Sequence, residues 1–283
     1  MRVLVTGGKG FIGKHLCRAL ELRGYEAQSY DIKDGQDILD RAKLDAAIKD
    51  VDAVFHLAGL LGTEETLGYI ERTMDVNIKG TLNVLSVCHD HDKPMINLSV
   101  RTGWMNPYLI SKRCAAETVL MYHRHLGLRA VVIKALNVYG PGQPWGHIKK
   151  VVPTFIVAAI KGEPLSIYGT GKQIVDLIHV LDICEIMIRS LEQEVWGESI
   201  DGCTGVPMRV IDLAEMILGL TNSKSSIEFK PMRKGEPPQS IQAGNPAEAL
   251  QLLGYYPRIE LIAGMADTIN WYKKYYLEAE EHA

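Results

Sequence analysis

The five cysteines, Cys17, Cys88, Cys114, Cys184 and Cys203, are scattered, and no two form a C-x-x-C pair. That spacing offers neither a zinc-ligand framework nor a disulfide scaffold, so no metal is expected and a reducing compartment suits the chain. No charge sign dominates: 31 Lys and Arg face 34 Asp and Glu, a net charge of -3, which gives no electrostatic basis for binding nucleic acid or an anionic membrane. Long apolar runs are missing as well. The longest, Val151 to Ile160, contains Pro153 and is too short to cross a bilayer. An apolar strand is expected from residue 2, which leaves no room for a signal peptide, so the expected location is cytoplasmic. No internal repeat or low-complexity stretch is present, and the main loop-rich stretch runs from Asn222 to Gln239.

What is present begins at residue 2. Val3, Leu4 and Val5 form an apolar run without polar alternation, as in a strand buried on both faces of a parallel sheet. Thr6-Gly7-Gly8 turns the chain, and Phe11 to Arg23 reads as an amphipathic helix ending at Gly24. The spacing Gly7-x-x-Gly10-x-x-Gly13 supplies a tight turn, a close approach to a pyrophosphate and a close helix–strand contact. The free N–H groups of the helix would then face phosphate. Glu26 to Asp31 is the next strand, and an acid at its tip accepts both ribose hydroxyls and repels a 2′-phosphate. The combination predicts a dinucleotide site with NAD preferred over NADP, although Lys9 in the loop pulls toward the phosphorylated form.

Strand and helix go on alternating: a short strand or loop at Asp37-Ile38, a helix from about Asp40 to Lys49, and a fourth strand from Ala53 to Leu57. A long helix from roughly Leu67 to His91 precedes a fifth strand, Met95 to Ser99, and a sixth spans Ala130 to Leu136. Asn106-Pro107-Tyr108 opens a helix running to about His125, with Pro107 in the first turn where its missing N–H is no loss. Tyr108 and Lys112 are four apart and share a helix face. An ammonium beside a phenol is expected to lower its pKa and make Tyr108 a base for a sugar or alcohol hydroxyl.

Several motifs together resemble the extended short-chain dehydrogenase/reductases, specifically the NAD-dependent epimerase/dehydratase family acting on nucleotide sugars. They are Thr6 to Gly13, His56-Leu57-Ala58-Gly59, Asn77 to Leu85, Asn106 to Lys112 and Asn137 to Gln143, with weaker matches at Pro164 to Gly169 and Gln173 to Val180. The resemblance implies an α/β fold: a Rossmann-type doubly wound parallel sheet with a smaller C-terminal α/β substrate-binding domain. Residues 1–137 plus about 172–198 would bind NAD, and about 138–171 plus 199–283 would bind substrate. It also implies Gly7, Gly10, Phe11 and Ile12 at the pyrophosphate, Asp31 at the ribose, and Asp37 and Ile38 at adenine. Leu57, Ala58 and Gly59 would pass beneath the cofactor, Asn77 would lie beside it, and Lys112 would bond the nicotinamide ribose and tune Tyr108. Asn137 would face the sugar nucleotide and Arg233 would clamp its diphosphate.

Two departures stand out. Only Val100 to Pro107 separates Ser99 from Tyr108, where the family carries some twenty or more residues, so the catalytic hydroxyl falls to Ser99 or Thr102. Val175 stands where an arginine is expected, so one diphosphate contact is missing or is supplied by Lys134, Lys149, Lys150 or Lys172. Residues 100–105 contain no Asp or Glu, which disfavours elimination of water unless Glu64 or Glu65 reaches the sugar. The expected activity is therefore NAD-dependent nucleotide-sugar epimerisation, most simply at C4, through a keto-sugar. The alternatives are a dehydratase, a keto-sugar reductase or dehydrogenase, and a non-catalytic dinucleotide-binding protein. A homodimer is expected through the helices after Asn77 and Tyr108, with Val119, Tyr122 and Leu126 as the apolar stripe.

Overall fold

A computed structural model describes residues 1–101 and 103–281. The chain begins β1 (Arg2–Thr6), α1 (Phe11–Leu22), β2 (Glu26–Tyr30), α2 (Arg41–Ile48) and β3 (Ala53–His56). Then come α3 (Ile70–Met74), a π-helical turn (Asp75–Gly80), α4 (Thr81–Asp90), β4 (Met95–Val100), α5 (Pro107–Leu126) and β5 (Ala130–Ala135). Asp37-Ile38, expected as a short strand or loop, forms a loop, so Ala53–His56 is the third strand rather than the fourth. Nor is 67–91 one regular helix. It starts at Ile70 and is widened by the π turn that carries Asn77. Local chemistry sets α5: the Asn106 side chain accepts from Leu109 N–H at 2.8 Å, Pro107 fills the first turn, and Gly127 ends the helix at φ 73°.

The strands form one six-stranded parallel sheet in the order β10-β5-β4-β3-β1-β2, where β10 is Ser199–Gly202. The order reverses between β1 and β3, the switch point where a doubly wound sheet opens a crevice at its strand ends. Alternate strand residues enter two cores. Val3, Val5, Phe55 and Ile133 meet Leu16 and Leu20 of α1, whereas Leu4, Val54, Met95 and Val132 meet Leu44 and Ile48 of α2. Both faces are covered, which explains the strands' unbroken apolar runs.

The chain leaves this sheet through β6 (Val138–Tyr139), α6 (Val151–Lys161), β7 (Leu165–Tyr168), β8 (Ile174–Asp176) and β9 (Ile178–His179). It returns through α7 (Val180–Glu192) and β10, then adds β11 (Pro207–Arg209), α8 (Val210–Thr221), β12 (Ile227–Lys230), α9 (Ala247–Leu253) and α10 (Leu261–Glu281). A third core joins Phe155 and Ile156 of α6, Leu213 and Ile217 of α8, and Met265 and Ile269 of α10. Because β10 sits beside β5, we propose extending the sheet part from 198 to Gly202, with Ala249 and Leu253 of α9 returning to its first core. The stretch 222–239 is not all loop, since β12 pairs with β7. Among the described residues no helix is long and apolar enough to cross a membrane.

Candidate active site

A cavity of about 870 Å³ runs from the glycine loop, across the ends of β3 and β4, to the third core. Its first wall is backbone geometry. Gly7, at φ 72°, donates its N–H to Tyr30 C=O at 2.8 Å, and a Cβ there would sit 2.9 Å from Ala58 N. At Gly13 a Cβ would lie 2.2 Å from Gly7 O, so α1 packs against its own loop only because residue 13 has no side chain. Gly7, Gly10, Phe11 and Ile12 all line the cavity.

Asp31 stands at the tip of β2, buried, with Oδ2 accepting from Lys9 N–H at 2.9 Å and Oδ1 from Lys33 N–H at 3.0 Å. Those bonds fix a carboxylate in the cavity with acceptor capacity left for a ribose. Lys9 directs its ammonium to Asp34, so the cation that favoured a 2′-phosphate is neutralised by a neighbour. Asp37 and Ile38 also line the cavity. Asp37 lies 3.8 Å from Arg72, and Ile38 packs so closely on the π turn that a Cβ at Gly80 would meet it at 2.5 Å.

Beneath this wall runs a buried relay. Thr6 Oγ1 lies 2.7 Å from His56 Nδ1, and His56 Nε2 lies 3.0 Å from Thr81 Oγ1, which itself donates to Asn77 C=O at 2.7 Å. Thr81 is thus the acceptor for His56 Nε2–H, Thr6 donates to Nδ1, and Thr6 Oγ1 accepts from Leu57 and Ala58 N–H at 3.2 and 3.3 Å. Burial, with the Lys112 charge adding to it, pushes the ring down to about 3 and keeps it neutral. His56 therefore positions the strand end that carries Leu57, Ala58 and Gly59, all of which line the cavity. Asn77 bonds Leu60 N–H and C=O at 2.8 and 2.9 Å and Ser111 Oγ at 2.9 Å. It ties the loop after β3 to α5 from below rather than facing the cavity.

Tyr108 and Lys112 enter the cavity from the first two turns of α5. Lys112 is buried and donates from Nζ to Leu98 C=O at 2.6 Å, and burial pushes it down to about 8. Tyr108 does not have the expected lowered pKa: burial pushes it up to about 12. Removing the phenol from water disfavours its anion, and that penalty prevails until positive charge enters the site. Ser99 lines the cavity, but its hydroxyl donates to Lys112 C=O at 3.3 Å, so it holds α5 against β4. Thr102, the other candidate, lies outside the described residues.

On the far side, Asn137 lines the cavity at φ 26° and donates to Asp176 C=O at 3.3 Å. Arg233 lies over the Tyr168 ring at 5.5 Å and pairs with Glu236. Of the four lysines, Lys149 and Lys150 line the cavity and Lys172 does not, while Lys134 is paired with Asp201 at 3.0 Å. Val175 faces the cavity as an apolar residue. Glu65 is turned to Lys149 N–H at 3.0 Å; burial pushes its pKa up, but that bond and the nearby Arg233 and Lys150 charges bring it below the ordinary value. The carboxylates lining the cavity are Asp31, Asp37 and Glu236, none of them from the segment bearing Tyr108.

Residues that pattern reading missed include Arg101, Trp104 and Gln173, all at the cavity wall. Gln173 donates to Tyr168 C=O at 2.7 Å and leaves a buried Oε1 without a partner, as does Gln143 of the Asn137–Gln143 motif. An orphaned acceptor in a ligand-sized cavity is a feature that a bound donor would satisfy.

A dinucleotide fits these residues: glycine loop, fixed Asp31 carboxylate and small-residue floor lie along one wall. The relatives agree. The chain is 27% identical to a UDP-N-acetyl-alpha-D-glucosaminuronate decarboxylase of Bacillus cytotoxicus, over 96% of this chain and 98% of that protein. That alignment runs over 317 positions, more than this chain's 283 residues, so the relative carries segments absent here. Among solved structures, a Thermotoga maritima UDP-glucose 4-epimerase with UDP-glucose superposes with TM-score 0.89 at 25% identity, covering 98% of this chain and 100% of the other. A Bacillus cereus UDP-glucuronic acid 4-epimerase with UDP-glucuronic acid and NAD gives 0.86 at 25% identity, with the same coverage. The model of the NAD dependent epimerase/dehydratase family matches residues 3–102 and 97–200, and with two thirds of its length so matched the chain belongs to that family.

Proposed function

We propose that the chain is an NAD-dependent nucleotide-sugar epimerase, acting most simply at C4. The observation that carries this reading is the position of Tyr108 and Lys112 in the cavity with no carboxylate on residues 99–112 to serve an elimination. Epimerisation needs one base, a hydride acceptor and room for a keto-sugar to turn, and the cavity offers the base and the room.

The glycine loop and Asp31 hold and orient the dinucleotide, and the β3 floor keeps water from its underside. When bound, NAD supplies the hydride acceptor and a positive charge in its oxidised ring. Tyr108 then takes the hydroxyl proton at its phenol oxygen, and Lys112 steadies the phenolate once Nζ turns from Leu98 C=O. Arg233, Lys149 and Lys150 hold the diphosphate, with Asn137 at the sugar nucleotide. The resemblance of UDP-sugar epimerases and decarboxylases to this chain supports a nucleotide-sugar substrate.

Val119 and Tyr122 of the expected pairing stripe are buried in the chain's own core, and only Leu126 of the three is exposed. Leu82, Ile110, Met121 and Leu126 are the exposed large apolar residues on α4 and α5, and a homodimer would pair through them. Scattered free thiols support a cytoplasmic location.

The test is a proton NMR time course of NAD-loaded protein with UDP-, dTDP-, GDP- and CDP-linked hexoses and UDP-glucuronate. A second anomeric doublet growing to a fixed ratio without net NADH is expected. A dehydrated keto product, or a pentose formed with release of carbon dioxide, would replace epimerisation with elimination or decarboxylation.

A further inference from the structure

The shortened β4–α5 connection places a cation where a longer loop would have carried the chain away. Arg101, two residues past Ser99, shares the cavity wall with Tyr108 and Trp104. Its Nη1 lies 2.6 Å from Asp201 Oδ2 on β10, one hundred residues away. Asp201 is buried and already paired: Lys134 Nζ is 3.0 Å from its Oδ1, and Asn245 N–H is 3.2 Å from its Oδ2. Two cations thus share one carboxylate, while the neighbouring buried acid, Asp176, is bonded to Thr204, Gly205 and Gly244 N–H rather than to either cation. Lys134 does not reach the cavity, so Arg101 is the member that presents the charge there. A guanidinium has five N–H donors in a fixed fork, and among the described residues only Nη1 is engaged. The other acids of the cavity do not answer it: Asp31 and Asp37 belong to the β2 end, and Glu236 is paired with Arg233.

We propose that Arg101 receives a carboxylate on the substrate's sugar, so that the nucleotide sugar handled here is a hexuronate. The assignment rests on the nucleotide-sugar reading above and narrows it. A carboxylate on C5 lies beside C4, next to the hydroxyl that Tyr108 serves. It would take the donors that Asp201 leaves open, as a two-pronged charge-assisted contact. Asp201 is then the positioning residue: its bond to Nη1 aims the fork, and Lys134 offsets its own charge so that the incoming anion is not repelled. A neutral hydroxymethyl group at C5 would leave the guanidinium to water and gain no charge-assisted contact from its open donors.

The experiment measures dissociation constants of the NAD-loaded protein for UDP, UDP-glucose and UDP-glucuronate by calorimetry, with wild type, Arg101→Leu and Arg101→Lys. Wild type is expected to bind the uronate roughly ten- to a hundredfold more tightly than the glucose, the size of one charge-assisted hydrogen-bonded contact. Arg101→Leu should lose most of that ratio while its affinity for UDP stays unchanged, and Arg101→Lys should keep part of it. Equal affinities in wild type, which needs no variant to fold, would overturn the assignment and leave the nucleotide-sugar reading standing. A uronate preference that survives in Arg101→Leu would do the same. If dTDP, GDP or CDP binds in place of UDP, the comparison is run on that nucleotide's hexose and hexuronate, and failure of all four nucleotides to bind would remove both readings together.

Discussion

The two ends of the cavity are built from different materials. The cofactor end is made of backbone and small residues within the first 59 positions: Gly7, Gly10, Gly13, Asp31 and the Leu57–Gly59 floor. The sugar end is assembled from side chains far apart in the chain: Arg101 with Asp201, Glu65 with Lys149, Asn106 with Gly235 at 3.3 Å. A backbone cradle demands certain residues at certain spacings, because any Cβ would strike something. A side-chain wall accepts many solutions, as Val175 and the eight-residue connection before Tyr108 show. The difference teaches which wall of the cavity the backbone fixes and which wall depends on contacts between distant side chains.

The largest expected effect comes where the two ends meet. Replacing Tyr108→Phe removes the only phenol oxygen that α5 brings to the cavity, while leaving the glycine loop untouched. Turnover by NMR should fall about 10²- to 10⁴-fold, the usual yield of a positioned general base, with NAD affinity within a factor of about two. Undiminished turnover would transfer the chemistry to another group. The pH dependence should follow from the same burial. Tyr108 near 12 and Lys112 near 8 are poor settings for a base at neutral pH, so the phenolate depends on positive charge supplied by the bound cofactor.

The cofactor end should show its rigidity in acid. His56 is held at about 3 in the folded chain against 6.5 for the free side chain, so between those values the unfolded chain binds the extra proton. Stability is therefore fully present above about 6.5 and is lost as pH falls toward 3, by on the order of 4 kcal/mol across the window. Thermal unfolding from pH 7 to pH 4 should show this slope, and His56→Gln should flatten it. An unchanged slope in the variant would mean that other groups carry the acid sensitivity.

The same contrast governs what could be read from the residues alone. The strands from β1 to β5, α1, α5 and the glycine loop were legible because each rests on local spacing, capping or an unbroken apolar run. Asp37-Ile38 was expected as a strand or loop and forms the loop, since its partners are Arg72 and the π turn rather than a sheet edge. The break in the helix after residue 67 was not legible, because a π turn has no residue pattern of its own. Asp201 falls in no motif; only the parallel pairing of β10 with β5 puts it beside Lys134 and within reach of Arg101. The raised pKa of Tyr108 was hidden for a similar reason. Helical spacing reports that Lys112 is near, but not that its ammonium is bonded to Leu98 C=O or that Lys112 is buried and Tyr108 half-buried.

Two glycines bring the comparison to its smallest and sharpest form, because each lies inside a helix, one at each end of the molecule. Alanine is ordinarily better than glycine in a helix interior by about 0.5–1 kcal/mol, since glycine gives up more backbone freedom on folding. Gly13, in α1, cannot use that gain: the new Cβ would stand 2.2 Å from Gly7 O and 2.7 Å from Gly8 Cα, backbone atoms that cannot step aside. Gly13→Ala should lower stability by roughly 1–3 kcal/mol and weaken NAD binding by distorting the loop. Gly219, in α8 of the substrate part, meets nothing within 4 Å, so Gly219→Ala should realise the gain and raise the melting temperature by a few degrees. Paired thermal scans with and without NAD would read both signs at once. If the two substitutions shifted stability the same way, the distinction between a fixed cofactor cradle and a tolerant substrate wall would fail at its plainest test. Opposite signs, with the NAD-dependent shift in melting reduced only at Gly13, are what a cradle built from backbone requires.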